Sequence, residues 1–176
     1  MSKLRISGII EESIVDGPGI RFVIFSQGCY HNCPGCHNPA THDLNGGYEI
    51  TVDDIMDKIK KNPLLSGVTF SGGEPFLQSK AFSELAKKIH DLGLNVITYT
   101  GYTMEQFFNW DDESYQGKRP EDNHWKALLE NTDILIDGPF ILEKKSLLIK
   151  FRGSSNQRII DPKKSLSLKK VVEIQI

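Results

Sequence analysis

The apolar run Arg21-Phe22-Val23-Ile24-Phe25-Ser26 is followed, after two residues, by the segment Cys29-Tyr30-His31-Asn32-Cys33-Pro34-Gly35-Cys36. Continuous apolar runs of this length are typical of strands that are covered on both faces, as in parallel sheets. Two later runs share the pattern, at residues 96–99 and 134–136. The sequence therefore predicts buried parallel strands, one of which ends in a cysteine-bearing loop.

Predicted strands and helices alternate along the chain. We expect strands at residues 4–10, 21–26, 67–70, 95–100, 133–136 and 171–176. We expect one helix after Thr51, a suitable N-cap, and two more at about residues 80–90 and at 125–130. This alternation indicates an α/β fold.

The length of the chain limits the kind of α/β fold. Its 176 residues are fewer than the roughly 250 of a complete eightfold barrel. We therefore predict a single domain over residues 1–176 that forms a partial, open barrel. The polar stretch 109–123 is predicted to be an exposed surface loop or insertion.

Four loops follow the predicted parallel strands. They are the cysteine loop, Ser71-Gly72-Gly73-Glu74-Pro75, Thr100-Gly101-Tyr102 and Asp137-Gly138-Pro139. Open α/β sheets and barrels bind their ligands beyond the carboxyl ends of parallel strands. We therefore expect these four loops to form one functional site.

Composition excludes several classes of function. The formal net charge is −2, so nothing indicates a nucleic-acid or membrane partner. The first residues lead into mixed polar sequence without a long apolar stretch, and we expect neither a signal peptide nor a membrane span. Free thiols without an export signal favour the cytoplasm.

The three cysteines of the loop are the only ones in the chain. An odd number in so short a segment does not suit a disulfide framework, whereas converging thiolates suit a metal centre. Iron–sulfur clusters usually have four cysteine ligands, so three would leave one position open for chemistry. The alternative is zinc bound by the cysteines and His37, although structural zinc sites usually draw on two separated pairs of ligands.

The spacing Cys-x3-Cys-x2-Cys resembles the signature of the radical S-adenosylmethionine superfamily, and Gly72-Gly73-Glu74-Pro75 resembles its second motif. Further segments resemble the activating proteins of anaerobic ribonucleoside-triphosphate reductases, over nearly the whole chain. They are residues 16–21, 100–102 and 137–140, and the run Arg152-Gly153-Ser154-Ser155-Asn156-Gln157-Arg158.

The resemblance implies a partial TIM-like (β/α)6 barrel and two cofactors. One [4Fe–4S] cluster per chain would be held by Cys29, Cys33 and Cys36. S-adenosylmethionine would contact a set of residues in the same loops, namely Gly35, Cys36, His37, Gly72, Gly73, Glu74 and Thr100. No acid–base residue is expected, because a hydrogen atom is transferred rather than a proton.

The implied activity is reductive cleavage of S-adenosylmethionine to a 5′-deoxyadenosyl radical, which takes a hydrogen atom from a backbone glycine of the reductase's large subunit. A low-potential donor such as reduced flavodoxin would supply the electron. The first alternative is the activase of another glycyl-radical enzyme, of the pyruvate formate-lyase type. A radical enzyme acting on a small molecule, a zinc-stabilised binding module and an electron carrier remain further alternatives.

Overall fold

The computed structural model describes residues 2–113 and 119–176, and a seven-stranded sheet forms its centre. In chain order the strands are β1 Lys3–Ser13, β2 Arg21–Ser26, β3 Tyr48–Thr51, β4 Gly67–Gly72, β5 Asn95–Tyr99, β6 Ile134–Asp137 and β7 Arg158–Ile160. Across the sheet their order is β3-β1-β2-β4-β5-β6-β7.

The central strands β2, β4, β5 and β6 are parallel, as the continuous apolar runs predict. The outer pairings are antiparallel, β1 with both β2 and β3, and β7 with β6. The open mixed sheet fits a partial barrel, but the pairings do not reproduce six parallel βα repeats. One reason is that only residues 14–20 join β1 to β2, whereas a parallel crossover needs about a dozen residues or more.

Helices cover one face of the sheet. They are α1 Val52–Lys60, α2 Ser79–Asp91, α3 Met104–Phe108, α4 Trp125–Glu130 and α5 Pro162–Leu168, with short 3₁₀ turns at Pro39–Thr41, Pro75–Gln78 and Leu142–Lys144. Thr51 caps α1 as predicted, since its hydroxyl accepts a hydrogen bond from the Asp54 amide at 3.1 Å. None of the described helices combines the length and apolarity of a membrane span.

The sheet separates two apolar clusters. The larger one joins the helices to the sheet and includes Phe70, Phe82 and Phe107. The smaller one lies on the other face and contains Ile97, Ile136 and Ile159, with Tyr99 and Phe151 packed against them. Parallel strands such as β5 are therefore buried on both faces, as their sequence predicts.

Several predictions for the polypeptide backbone were wrong or incomplete. Residues 171–176 do not form a strand, because only Glu173 makes a bridge, to Ile160. The sequence did not reveal β3, β7, α3 or α5. In the predicted exposed loop 109–123, Trp110 is 2% exposed and stacks on Phe107, and residues 114–118 lie outside the described residues.

Candidate functional site

A cavity of about 950 Å³ lies at the carboxyl ends of the parallel strands. All four predicted loops contribute to its wall, through Cys29, Gly73, Thr100 and Gly138 among others. The parallel pairing places these strand ends at one edge of the sheet. The predicted convergence of the four loops is therefore confirmed.

The three cysteines are partly buried, form no disulfide and line this cavity together. Burial, with a smaller contribution from the Glu74 carboxylate, raises the pKa of Cys29 to about 12. Burial also raises the pKa of Cys33. Both thiols are therefore protonated at neutral pH in the metal-free protein, and binding of iron releases protons.

The base of the cysteine loop is anchored by backbone hydrogen bonds. The Gly28 amide donates to the Thr41 carbonyl at 2.6 Å, and the Glu74 amide donates to the Gly28 carbonyl at 2.8 Å. Within the loop, Asn32 has a φ of 47° and Gly35 a φ of 73°, so the chain turns sharply between the cysteines. The loop is thus shaped by the polypeptide itself.

Two glycines let the loop after β4 pack against the end of β2. A Cβ atom on Gly72 would lie 2.6 Å from the Ser26 amide nitrogen, and one on Gly73 would lie 2.3 Å from the Gly28 carbonyl oxygen. Both contacts are shorter than real Cβ atoms make. Both glycines also line the cavity. Their lack of a side chain therefore allows the loops to pack and leaves room for a ligand beside them.

Glu74 is fully buried, and its carboxylate is saturated by donors from the chain. Its Oε1 atom lies 2.6 Å from Nε2 of His31 and accepts from the Thr100 hydroxyl and the Gly101 amide, both at 2.8 Å. Its Oε2 atom accepts from the Phe76 amide at 3.0 Å. Glu74 is not among the residues that line the cavity, so its contact with S-adenosylmethionine stays a prediction.

No sequence pattern indicates the position of His31. His31 stands between Cys29 and Cys33 in the sequence. Its ring makes an edge contact with Tyr102, at 4.5 Å between ring centroids. A Cβ atom on Gly101 would lie 2.4 Å from Cδ2 of His31. Gly101 therefore leaves the space that the imidazole occupies beside Glu74.

His37 is exposed and makes an edge contact with Phe140, at 5.1 Å between ring centroids. A Cβ atom on Gly153 would lie 3.1 Å from the Phe140 ring. His37 and Thr100 line the cavity, whereas Gly35 packs toward Leu142 and is not among the lining residues. The contacts of these residues with S-adenosylmethionine therefore stay predictions.

Arg158 binds the loop after β6 through two carboxylates. It donates to Asp137, at 3.0 Å from Nε and 2.6 Å from Nη2, and its Nη1 donates to Glu105 at 2.8 Å. These bonds raise the pKa of Arg158, and the bond from Arg158 lowers the pKa of Glu105. Asp137 is fully buried and also accepts from the Met104 amide at 2.9 Å. The last arginine of the 152–158 run therefore has a structural role.

The donor set at the cavity can be compared with the needs of a metal centre. Among the described residues, no three His, Cys, Asp or Glu side chains are grouped to hold one ion. In a [4Fe–4S] cluster each thiolate binds its own iron, so the sulfur atoms need not converge on one point. Three thiols around one cavity wall fit that requirement.

Residues 15–160 match the family described as the 4Fe-4S single cluster domain. The chain belongs to this family. Membership decides between a cluster and the zinc alternative, because the model that matches spans all three cysteines.

Two kinds of activating protein are similar to this single cluster domain. The anaerobic ribonucleoside-triphosphate reductase-activating protein of Vibrio cholerae is 32% identical over 83% of this chain and 90% of its own length. The pyruvate formate-lyase-activating enzyme of Clostridium pasteurianum is 32% identical over 75% of this chain and 66% of its own. That of Staphylococcus aureus is 31% identical over 95% of this chain and 64% of its own.

This chain therefore spans a little under two thirds of these pyruvate formate-lyase-activating enzymes and most of the reductase-activating protein. Among solved structures, QueE from Escherichia coli aligns with 57% of this chain and 54% of its own, with a TM-score of 0.47 and 17% identity. The family and the relatives confirm the resemblance to radical S-adenosylmethionine activating proteins. They likewise support an iron–sulfur cluster and S-adenosylmethionine as the cofactors of this single cluster domain.

Proposed function

We propose that this chain activates an anaerobic ribonucleoside-triphosphate reductase by generating a glycyl radical on its large subunit. The observation that carries the proposal is the match to 90% of the length of the reductase-activating protein of Vibrio cholerae. The run at residues 152–158, which the sequence links to the same proteins, adds support. We further propose that residues 1–176 act as one domain of the (β/α)6 type, located in the cytoplasm.

We assign Cys29, Cys33 and Cys36 as the ligands of the cluster, since all three line the same cavity. When bound, the cluster and S-adenosylmethionine supply one-electron cleavage of a carbon–sulfur bond and abstraction of a hydrogen atom. Gly72, Gly73 and Thr100 line the same cavity, and we place the methionine end of the cofactor beside them.

The polypeptide positions the cofactors through contacts between its loops. Glu74 and His31 connect the cysteine loop to the loops after β4 and β5, and these bonds hold the three loops together beside the cavity. Phe140 packs against His37 at the side of the cavity.

The experiment is formation of a glycyl radical on the purified large subunit. The reconstituted chain, S-adenosylmethionine and a low-potential reductant, either dithionite or reduced flavodoxin, are mixed anaerobically with the subunit. We expect a doublet in the electron paramagnetic resonance spectrum that depends on all components. No radical despite cleavage of S-adenosylmethionine would reject the reductase as the partner.

A pyruvate formate-lyase-type enzyme is the second candidate partner. The specific observation in its favour is the 31% identity to the Staphylococcus aureus activating enzyme over 95% of this chain. The same radical assay, with pyruvate formate-lyase in place of the reductase, separates the two candidates.

A further inference from the structure

Large apolar side chains are exposed around the mouth of the cavity. Ile14 and Val15, in the segment after β1, are 75% and 71% exposed, and Leu147 and Leu148 are 86% and 95% exposed. Ile14, Val15 and Leu147 also line the cavity. Single exposed apolar side chains are common on protein surfaces. Several such side chains grouped beside one cavity are typical of an interaction site. We call these four residues the apolar rim.

The half of the rim that contains the leucines is held in place at its base. Lys145 and Ser154 form an antiparallel bridge, and the Ser155 amide donates to the Lys144 carbonyl at 2.8 Å. The Tyr99 hydroxyl donates to the Phe151 carbonyl at 2.6 Å. This bond holds the segment just after the leucines against the end of β5. Leu147 and Leu148 are therefore presented at the tip of an anchored turn.

Cationic side chains surround these leucines. Residues 142–153 contain Lys144, Lys145, Lys150 and Arg152, with Glu143 as their one acidic residue. The salt bridges of the described residues, with a limit of 4.0 Å, include none of these four cations. This excess of positive charge belongs to the leucine half of the rim, because Ile14 and Val15 stand between Glu12 and Asp16 in the sequence.

We infer that the apolar rim and the four cations form the docking surface for a segment of the glycyl-radical protein in which apolar side chains lie next to acidic ones. The inference rests on the proposed function, because the reacting glycine has to pass the rim to reach the cysteines. Burial of exposed leucines drives association, and complementary charge speeds it and selects the partner.

Other occupants fit the surface less well. A second copy of this chain would bring the same cations against one another, and like charges oppose such pairing. An anionic membrane would satisfy the cations, but the rim surrounds the mouth of a cavity of about 950 Å³, which a protein segment can enter. A protein partner therefore accounts for the apolar rim, the charges and the cavity together.

The test compares variants in their affinity for the immobilised large subunit, measured anaerobically with the cluster-loaded chain. Leu148→Ser removes an apolar side chain that is not among the cavity-lining residues. Leu168→Ser is the matched control, because Leu168 is 56% exposed at the end of α5, on the helical face. Lys145→Glu and Lys145→Gln test the charge.

We expect Leu148→Ser to weaken binding about tenfold, because binding would no longer bury the leucine side chain, and Leu168→Ser to bind like the wild type. Lys145→Glu should weaken binding more than Lys145→Gln, and the gap should close in about 0.5 M salt because salt screens exposed charges. Cleavage of S-adenosylmethionine in the absence of the partner should be the same for Leu148→Ser and the wild type.

Several results would overturn the docking surface. If the wild type binds the large subunit, and both Leu148→Ser and Lys145→Glu bind it as tightly, the docking surface is rejected. The proposed function is then unaffected. Rim substitutions that change only self-association, or only binding to phosphatidylglycerol vesicles, would reassign the rim to those occupants. A wild-type chain that neither binds the subunit nor forms its radical rejects the proposed function, and the surface with it.

Discussion

Nε2 of His31 lies 2.6 Å from Oε1 of the fully buried Glu74. A side chain from between two cysteines of the cluster loop is therefore bonded to the carboxylate that follows β4. With Glu74 ionised, the imidazole nitrogen is the donor, since a carboxylate can only accept. The bond joins the cysteine loop to the loops after β4 and β5.

Replacement of His31 tests this connection. His31→Ala removes one of the donors to a buried carboxylate, and we expect the free energy of unfolding of the metal-free protein to fall by about 1–3 kcal/mol. His31→Gln, which keeps a donor, should recover part of the loss. Anaerobic denaturation in urea with a chelator measures both. Equal losses in the two variants would show that the hydrogen bond is not the cause.

Gly101 provides a second test, because a Cβ atom there would lie 2.4 Å from the His31 ring. Gly101→Ala should destabilise the metal-free protein by about 1–3 kcal/mol, the usual cost of overpacking. In the His31→Ala background the same change should cost much less. A double-mutant cycle in urea measures the coupling, and a coupling energy near zero would contradict the contact.

Removal of Cys33, a proposed cluster ligand, should separate cofactor binding from folding. Cys33 is partly buried and belongs to neither apolar cluster. Cys33→Ala should therefore lose the [4Fe–4S] absorption and reductive cleavage of S-adenosylmethionine, yet unfold like the metal-free wild type. Iron analysis and circular dichroism measure the two properties. A variant that keeps a full cluster would remove Cys33 from the ligand set.

Arg158 should contribute strongly to stability, because Asp137 is fully buried beside it. Arg158→Ala leaves a buried carboxylate without its charge partner, and we expect a loss of about 3–5 kcal/mol in the free energy of unfolding. Asp137→Asn in the same chain should restore part of it, because the charge is then gone. Denaturation midpoints and slopes test this, and an Arg158→Ala variant as stable as the wild type would contradict it.

Glu105 should add a small stability that depends on pH. The bond from Arg158 lowers the pKa of Glu105 below its ordinary value of 4.5, so the stabilisation is present above that value and is lost as the pH falls through the lower folded pKa. Glu105 is half-exposed, and Glu105→Gln should cost at most about 1 kcal/mol at pH 7. Urea denaturation from pH 7 to pH 3 should show this difference shrinking in acid.

The central strands and the position of the site were predictable from the sequence. The run Arg21–Ser26 is a strand with the predicted bounds, because continuous apolar residues are buried on both sides. The loops after the parallel strands meet because parallel pairing requires it. Short edge elements were not predictable, since the three residues of β7 and the largely exposed β3 carry too little pattern to stand out.

Contacts within the site were less predictable than its location. His31 reaches Glu74 only because the loop turns through Asn32, which has a positive φ, and no spacing rule encodes that turn. Trp110 was misassigned to an exposed loop because its neighbours Asp111 and Asp112 are polar, although its ring stacks on Phe107. Such contacts depend on tertiary packing rather than on local pattern.

Backbone hydrogen bonds, not metal, anchor the cysteine loop at Gly28. The anchoring of the loop therefore does not depend on a bound cluster. We therefore expect the base of the loop to stay anchored when oxygen removes the cluster, so that fresh iron and sulfide could rebuild the site on the same chain.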